Sequence, residues 1–132
     1  MQQNDLVGAA QAAMRNAYAP YSQFRVGCAI EGESGNVYTG CNIENASFGL
    51  TNCAERVAVG AAVAAGERRF RRVVIVSDSP SPAAPCGACR QVIAEFGETS
   101  VESWGRDGGV ARWSVAELLP GQFELPGRER AS

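Results

Sequence analysis

Histidine and lysine are both missing from this 132-residue sequence, and all 12 basic residues are arginine. The first absence removes the Ser-His-Asp triad, the Cys-His pair and any imidazole metal ligand. The second removes Schiff-base chemistry, pyridoxal attachment through the chain and a phosphate-loop lysine. Acid–base work is left to carboxylates, tyrosine and thiols. No apolar run approaches the ~20 residues that span a bilayer. The apolar stretch LVGAAQAAM near the start has no basic segment before it and no clear cleavage site after it, so it does not read as a signal peptide. A net charge of only −2 gives neither nucleic acid nor an anionic membrane a basic surface to bind. The expectation is a cytoplasmic protein with no nucleic-acid or membrane partner, in a compartment where disulfides are uncommon.

An apolar content of 45% is enough for a sizeable core, and the length suits one domain spanning 1–132. Residues 4–18 set Leu6, Ala9, Ala10, Ala13, Met14 and Ala17 at helical spacing, and APYS at 19–22 stops that helix. FRVGCAIE at 24–31 alternates, with Phe24, Val26, Cys28 and Ile30 on one face. ESGN is turn chemistry and VYTGCNIE alternates again, so 24–43 reads as a β-hairpin. A helix of small residues follows Asn52, and RRVVIVS at 71–77 is a continuous apolar strand suited to a central, doubly covered position. A helix over 89–96, short strands at VESW and ARWSV, and a short last helix at SVAELL complete the pattern. Strands alternating with helices after a hairpin give an α/β fold, a mixed sheet with helices on both faces. ERRFRR at 67–72 reads as solvated helix-end charge.

Five cysteines remain to be explained. Cys28 and Cys41 fall on apolar strand faces, where cysteine is usually a small buried hydrophobe. Cys53, Cys86 and Cys89 instead sit at predicted helix starts, in TNCAER and PCGACR. Unpaired N–H groups and positive dipole ends there stabilise thiolates, the form that binds metal. Three thiolates on one zinc ion would leave its fourth position open, a catalytic arrangement. Cys86 and Cys89 alone also fit a redox pair, and a structural zinc site or none is a third reading. Glu55 can be the proton carrier of a zinc hydrolase, or only the carboxylate of a capping box with Asn52. On a helical wheel it points about 200° away from Cys53, an obstacle unless the ion lies beyond the helix end.

Cys53-Ala54-Glu55 followed by Pro85-Cys86-Gly87-Ala88-Cys89 matches the pattern of the zinc-dependent nucleoside and nucleobase deaminases, in its cysteine version. With AYAPYSQFRVG at 17–27, GCNIENASFGLTNCAER at 40–56 and PCGACRQVI at 85–93, the chain resembles the small homotetrameric cytidine deaminases from about residue 5 to Phe123. That resemblance implies a three-layer α/β/α fold with a mixed five-stranded sheet, and one Zn²⁺ per chain on Cys53, Cys86 and Cys89. It implies hydrolytic deamination of cytidine and deoxycytidine, a step of pyrimidine salvage, with Glu55 as proton shuttle. Arg56 would offset the negative charge of three thiolates, a part that Arg90 shares less clearly.

The resemblance also implies a set of nucleoside contacts. Asn42 and Glu44 of NIEN would hold the ribose hydroxyls, Phe24 would flank the pyrimidine or sugar, and the Ala54 N–H would orient the base. Ala46, Phe48 and Phe123 would come from a neighbouring subunit of a homotetramer with shared active sites. Relatives often carry tyrosine where Phe48 stands, which puts any hydroxyl contact there in doubt. Residues 124–132 match no shared feature and read as a loose tail. Rival readings are deamination of another small amino-heterocycle, a non-enzymatic zinc or nucleoside-binding module, and a thiol oxidoreductase with a reversible Cys86–Cys89 disulfide.

Overall fold

A computed structural model describes residues 3–126. Five strands form one mixed sheet in the order β2-β1-β3-β4-β5: β1 is Val26–Gly32, β2 Val37–Cys41, β3 Phe70–Ser77, β4 Ser100–Trp104 and β5 Val110–Ser114. β3 and β4 run parallel, and every other neighbouring pair is antiparallel. Helix α1, Gln3–Met14, covers one face; α2, Ala54–Ala64, α3, Gly87–Ala94, and α4, Val115–Leu118, cover the other. The three-layer α/β/α expectation describes this arrangement.

Two buried clusters divide the sheet's side chains. Val73 and Ile75 of β3 join Ala54, Ala58, Ala62 and Ile93 on the side of α2 and α3. Val74 and Val76 join Leu6 and Ala10 beneath α1. A strand that feeds two cores has no polar side, which explains the unbroken apolar run of β3. Val26, Cys28 and Ile30 of β1 share one face as expected, and Ala29 on the opposite face is buried as well, in the other cluster. The residues on the α1 side are small because the helix lies close, and a Cβ on Gly27 would run into the Ala10 carbonyl and Met14.

Several local readings need correction. The first helix ends at Met14 rather than Tyr18. Residues 15–18 turn away so that Tyr18 pairs with Ile43, its N–H donating to the Asn42 carbonyl at 3.0 Å. A short 3₁₀ turn, Phe48–Leu50, was not expected. Charge at 67–72 is only partly solvated: Glu67 is buried and accepts from the Ser34 and Tyr38 hydroxyls, Phe70 is core, and Arg72 pairs with buried Glu102 at 3.4 Å. Of the tail expected to be loose, residues 124–126 are exposed without helix or strand, and 127–132 lie outside the described residues.

The site depends on how α2 seats on the hairpin. Gly40 of β2 lies directly under the helix, and a Cβ there would stand 2.5 Å from the Ala58 nitrogen and 2.7 Å from the Ala54 carbonyl oxygen. Backbone cannot give way as a side-chain end can, so Gly40→Ala must push the helix outward. We expect this variant to lower the melting temperature by roughly 5–10 °C, the scale of an overpacked core. Gly8→Ala, on an exposed helix position with nothing within 4 Å of its Cβ, should instead hold or raise it. Thermal unfolding of the two variants side by side checks the contrast.

Candidate active site

Two helices begin at cysteines. Cys53 is the N-cap of α2 with φ −72° and ψ 153°, and Cys86 is the N-cap of α3 with φ −67° and ψ 167°. Both are extended residues outside the helical spiral, and neither side chain caps its own helix by a hydrogen bond. The wheel argument against Glu55 therefore does not apply, because Cys53 does not follow the helical turn. Asn52 is not the cap either, so the expected Asn52–Glu55 capping box is replaced by a free helix start; the reciprocal box forms at Ser114 and Glu117 of α4. Cys89 stands one turn into α3, fully buried.

The sulfurs of Cys53, Cys86 and Cys89 all lie within 4.8 Å of one another, and those of Cys53 and Cys86 are 3.9 Å apart. Zinc–thiolate bonds of about 2.3 Å at tetrahedral angles set sulfurs about 3.8 Å apart, so this triad fits that ion. All five cysteines are free, and Cys28 and Cys41 take no part in the cluster. A third sulfur beside Cys86 and Cys89 is what a two-cysteine redox pair does not need.

Electrostatics favour a thiolate at Cys53. Its pKa falls to about 5, chiefly through a hydrogen bond with Cys89 and then through Arg56, whose Nη2 is 3.4 Å from the sulfur. Cys89 moves the opposite way, held protonated by the Cys53 sulfur and by burial. Arg56 also keeps its Nε buried with no hydrogen-bond partner, a spare donor beside a cluster whose loaded charge would be −1. Arg90 is spent elsewhere, donating to the carbonyls of Pro85 at 2.9 Å and Leu118 at 3.0 Å. Glu55 is buried with its carboxyl above the usual range, first because of burial and then because of the Cys53 charge; the Cys89 thiol and Arg56 pull against this. It stands in the first turn of α2, two residues after Cys53, and its carboxyl feels both the Cys53 and the Cys89 sulfur.

Asn42 and Glu44 follow β2, and both are already engaged. The buried Asn42 amide accepts from Val26 N–H at 2.9 Å and donates to the Phe24 carbonyl at 2.8 Å. Glu44 accepts from the N–H groups of Tyr21 and Ser22 at 2.9 and 3.1 Å, and from the Ser22 hydroxyl. A cavity of about 410 Å³ opens beside them, lined by Tyr21, Ser22, Glu44, Phe48 and Thr51. Another, of about 680 Å³, lies at the far end of β3 and β4 and contains none of the cysteines. Ala54 is buried at the first position of α2, where a backbone N–H has no intrahelical acceptor. Phe24 is partly exposed, whereas Phe48 and Phe123 are 76% and 67% exposed and Ala46 is also at the surface. Sequence reasoning gave Tyr21 and Ser22 no role of their own, taking APYS as a helix stop and as part of AYAPYSQFRVG; a serine and successive free N–H groups in a turn were the available signal.

A profile described as the cytidine and deoxycytidylate deaminase zinc-binding region matches residues 1–103. The chain is 48% identical over 120 residues to a cytidine deaminase of Sporosarcina psychrophila, covering 89% of this chain and 88% of that one. It is 46% identical over 125 residues to a cytidine deaminase of Halalkalibacterium halodurans, covering 93% and 95%. A cytidine deaminase structure from Burkholderia pseudomallei superimposes with a TM-score of 0.89 at 47% identity, covering 93% of this chain and all of that one.

Metal content separates the two classes of cysteine. Cys53→Ser, Cys86→Ser and Cys89→Ser should each reduce bound zinc from one per chain to well under half, since two thiolates leave the ion loosely held. Cys28→Ser and Cys41→Ser should leave zinc stoichiometry unchanged, as read by atomic emission on the purified variants.

Proposed function

Because the chain belongs to the cytidine and deoxycytidylate deaminase zinc-binding family, we propose that it hydrolyses the C4 amino group of cytidine and deoxycytidine, releasing ammonia and the uridine nucleosides. The single observation that carries this reading is three clustered sulfurs with a buried carboxylate beside them. Cys53, Cys86 and Cys89 would hold the zinc ion, which would supply the Lewis acidity that makes a water nucleophilic near neutral pH. Glu55 accepts the proton of that water and delivers it to ring N3, which makes C4 electrophilic. After attack at C4, Glu55 carries a second proton to the departing amine, so ammonia leaves and C4 keeps the oxygen. Burial serves this work by keeping the carboxylate away from bulk water that would compete for the proton.

The remaining side chains hold the nucleoside. The Ala54 N–H donates to the base, Phe24 flanks the ring, and Asn42 and Glu44 receive the sugar hydroxyls. Their existing bonds to the 21–26 segment leave capacity for this: an amide has two N–H donors and a carboxylate about four acceptor sites. Arg56 offsets the net negative charge around the ion. We further propose a cytoplasmic homotetramer built from this single domain, in which Ala46, Phe48 and Phe123 complete a neighbour's site. The exposed aromatic rings of Tyr18, Tyr21, Phe24, Phe48 and Phe123 support an interface there, since such apolar surface is rarely left to water.

Two measurements test these proposals. Glu55→Gln should retain about one zinc per chain and lose at least 10²-fold in kcat, the contribution of a proton carrier; near-normal loss of cytidine absorbance by this variant would rule out the shuttle role. Light scattering should give a mass of four times 13.9 kDa, and Phe123→Ala should reduce kcat/KM; a fully active monomer would overturn the shared site.

A further inference from the structure

The segment between Tyr18 and Val26 hangs from two side chains that follow β2. Gln23 N–H closes a turn onto the Ala19 carbonyl at 2.9 Å, and the N–H groups of Tyr21 and Ser22 both reach Glu44 Oε1. The Ser22 hydroxyl donates to Oε2 of the same carboxylate. Gln23 then takes φ +59°, a left-handed conformation that non-glycine residues seldom adopt. This reversal brings Phe24 N–H back to Ser22 Oγ at 3.0 Å. One hydroxyl thus donates to Glu44 and accepts from the backbone of Phe24.

The carboxylate's acceptor sites can be counted. Oε1 takes two N–H donors, which fills it, and Oε2 takes one O–H donor, which leaves it one site. Both Ser22 and Glu44 line the 410 Å³ cavity. The bonds from Ser22 also pull Glu44 below the ordinary carboxylate range, so it stays an acceptor-only ion.

We propose that Ser22 is a positioning residue for sugar recognition: its hydroxyl fixes the rotation of the Glu44 carboxylate, aims the one open site of Oε2 at a sugar hydroxyl, and ties that aim to the placement of Phe24. The proposal rests on Glu44 as the acceptor for the sugar. Without the hydroxyl, Oε1 stays pinned by two backbone groups while Oε2 swings freely and Phe24 N–H loses its partner. Recognition should therefore weaken without the chemistry being touched.

The test is steady-state kinetics of the zinc-loaded enzyme on cytidine and on 2′,3′-dideoxycytidine, which lacks both ring hydroxyls. Ser22→Ala should raise KM for cytidine about tenfold, the loss expected from misdirecting one hydrogen bond to a charged group. Its kcat should stay within about twofold, Ser22→Thr should restore most of the affinity, and the dideoxy substrate, which feels only the displacement of Phe24, should lose several-fold less than cytidine. In a Glu44→Gln background, Ser22→Ala should add little. An unchanged KM for cytidine, an equal loss on both nucleosides, or a loss that adds fully to Glu44→Gln would each overturn the role of Ser22. If Glu44→Gln itself leaves the cytidine KM unchanged, the reading of Glu44 fails instead.

Discussion

The convergence of two helix N-termini on one cluster of sulfurs is the constraint to which the rest of the structure answers. Neither helix can approach unless the sheet beneath it is smooth. Gly40 and the run of alanines on the inner face of α2 provide that closeness, with Ala54, Ala58 and Ala62 all fully buried. β3, packed on both sides, holds the sheet flat enough to carry α2 and α3 together. Small residues set the distance between layers, and that distance sets where the sulfurs meet.

A chain without histidine must solve a charge problem that imidazole ligands avoid. Three thiolates around a divalent ion leave an excess of negative charge, which raises the pKa of water nearby. Two helix starts aim partial positive charge at the same point. Arg56 adds a full charge at 3.4 Å from Cys53. Its partnerless Nε, costly in an ordinary core, makes sense beside such an anion. Had Arg90 also faced the sulfurs, less negative charge would remain; instead it braces α3 against the end of α4.

How legible this was depended on the range of the interactions. The burial of β3 and the helix of small residues follow from local pattern, whereas pattern alone left the cysteines open and the family resemblance singled out the three whose sulfurs cluster. Burial of β1 on both faces was hidden because its second face sets Gly27 and Ala29 between the charged Arg25 and Glu31, although their smallness is what lets α1 lie close. The helix ended four residues early because Tyr18 found a partner in Ile43, 25 positions away, which no local rule detects. The capping box at Asn52 and Glu55 was a correct motif in the wrong frame: the cap moved one residue on, to the cysteine that the metal cluster needs.

The turn after α1 shows why a residue beside the proposed site can be invisible in sequence. APYS has the composition of any helix stop, and even as part of AYAPYSQFRVG it carried no role for Tyr21 or Ser22. Its importance comes from what meets it: a carboxylate two strands later that would otherwise point into open solvent. Glu44 is held by three donors from that turn, and Asn42 is held by the Phe24 carbonyl and by the Val26 N–H at the start of β1. Groups so fixed lose little freedom when a ligand arrives, and preorganisation of this kind strengthens binding without adding a contact. A polar loop beside an exposed aromatic surface can be this well ordered in a single chain because its two polar side chains bond first to the protein itself. In the proposed role, a sugar needs only the acceptor and donor positions that remain.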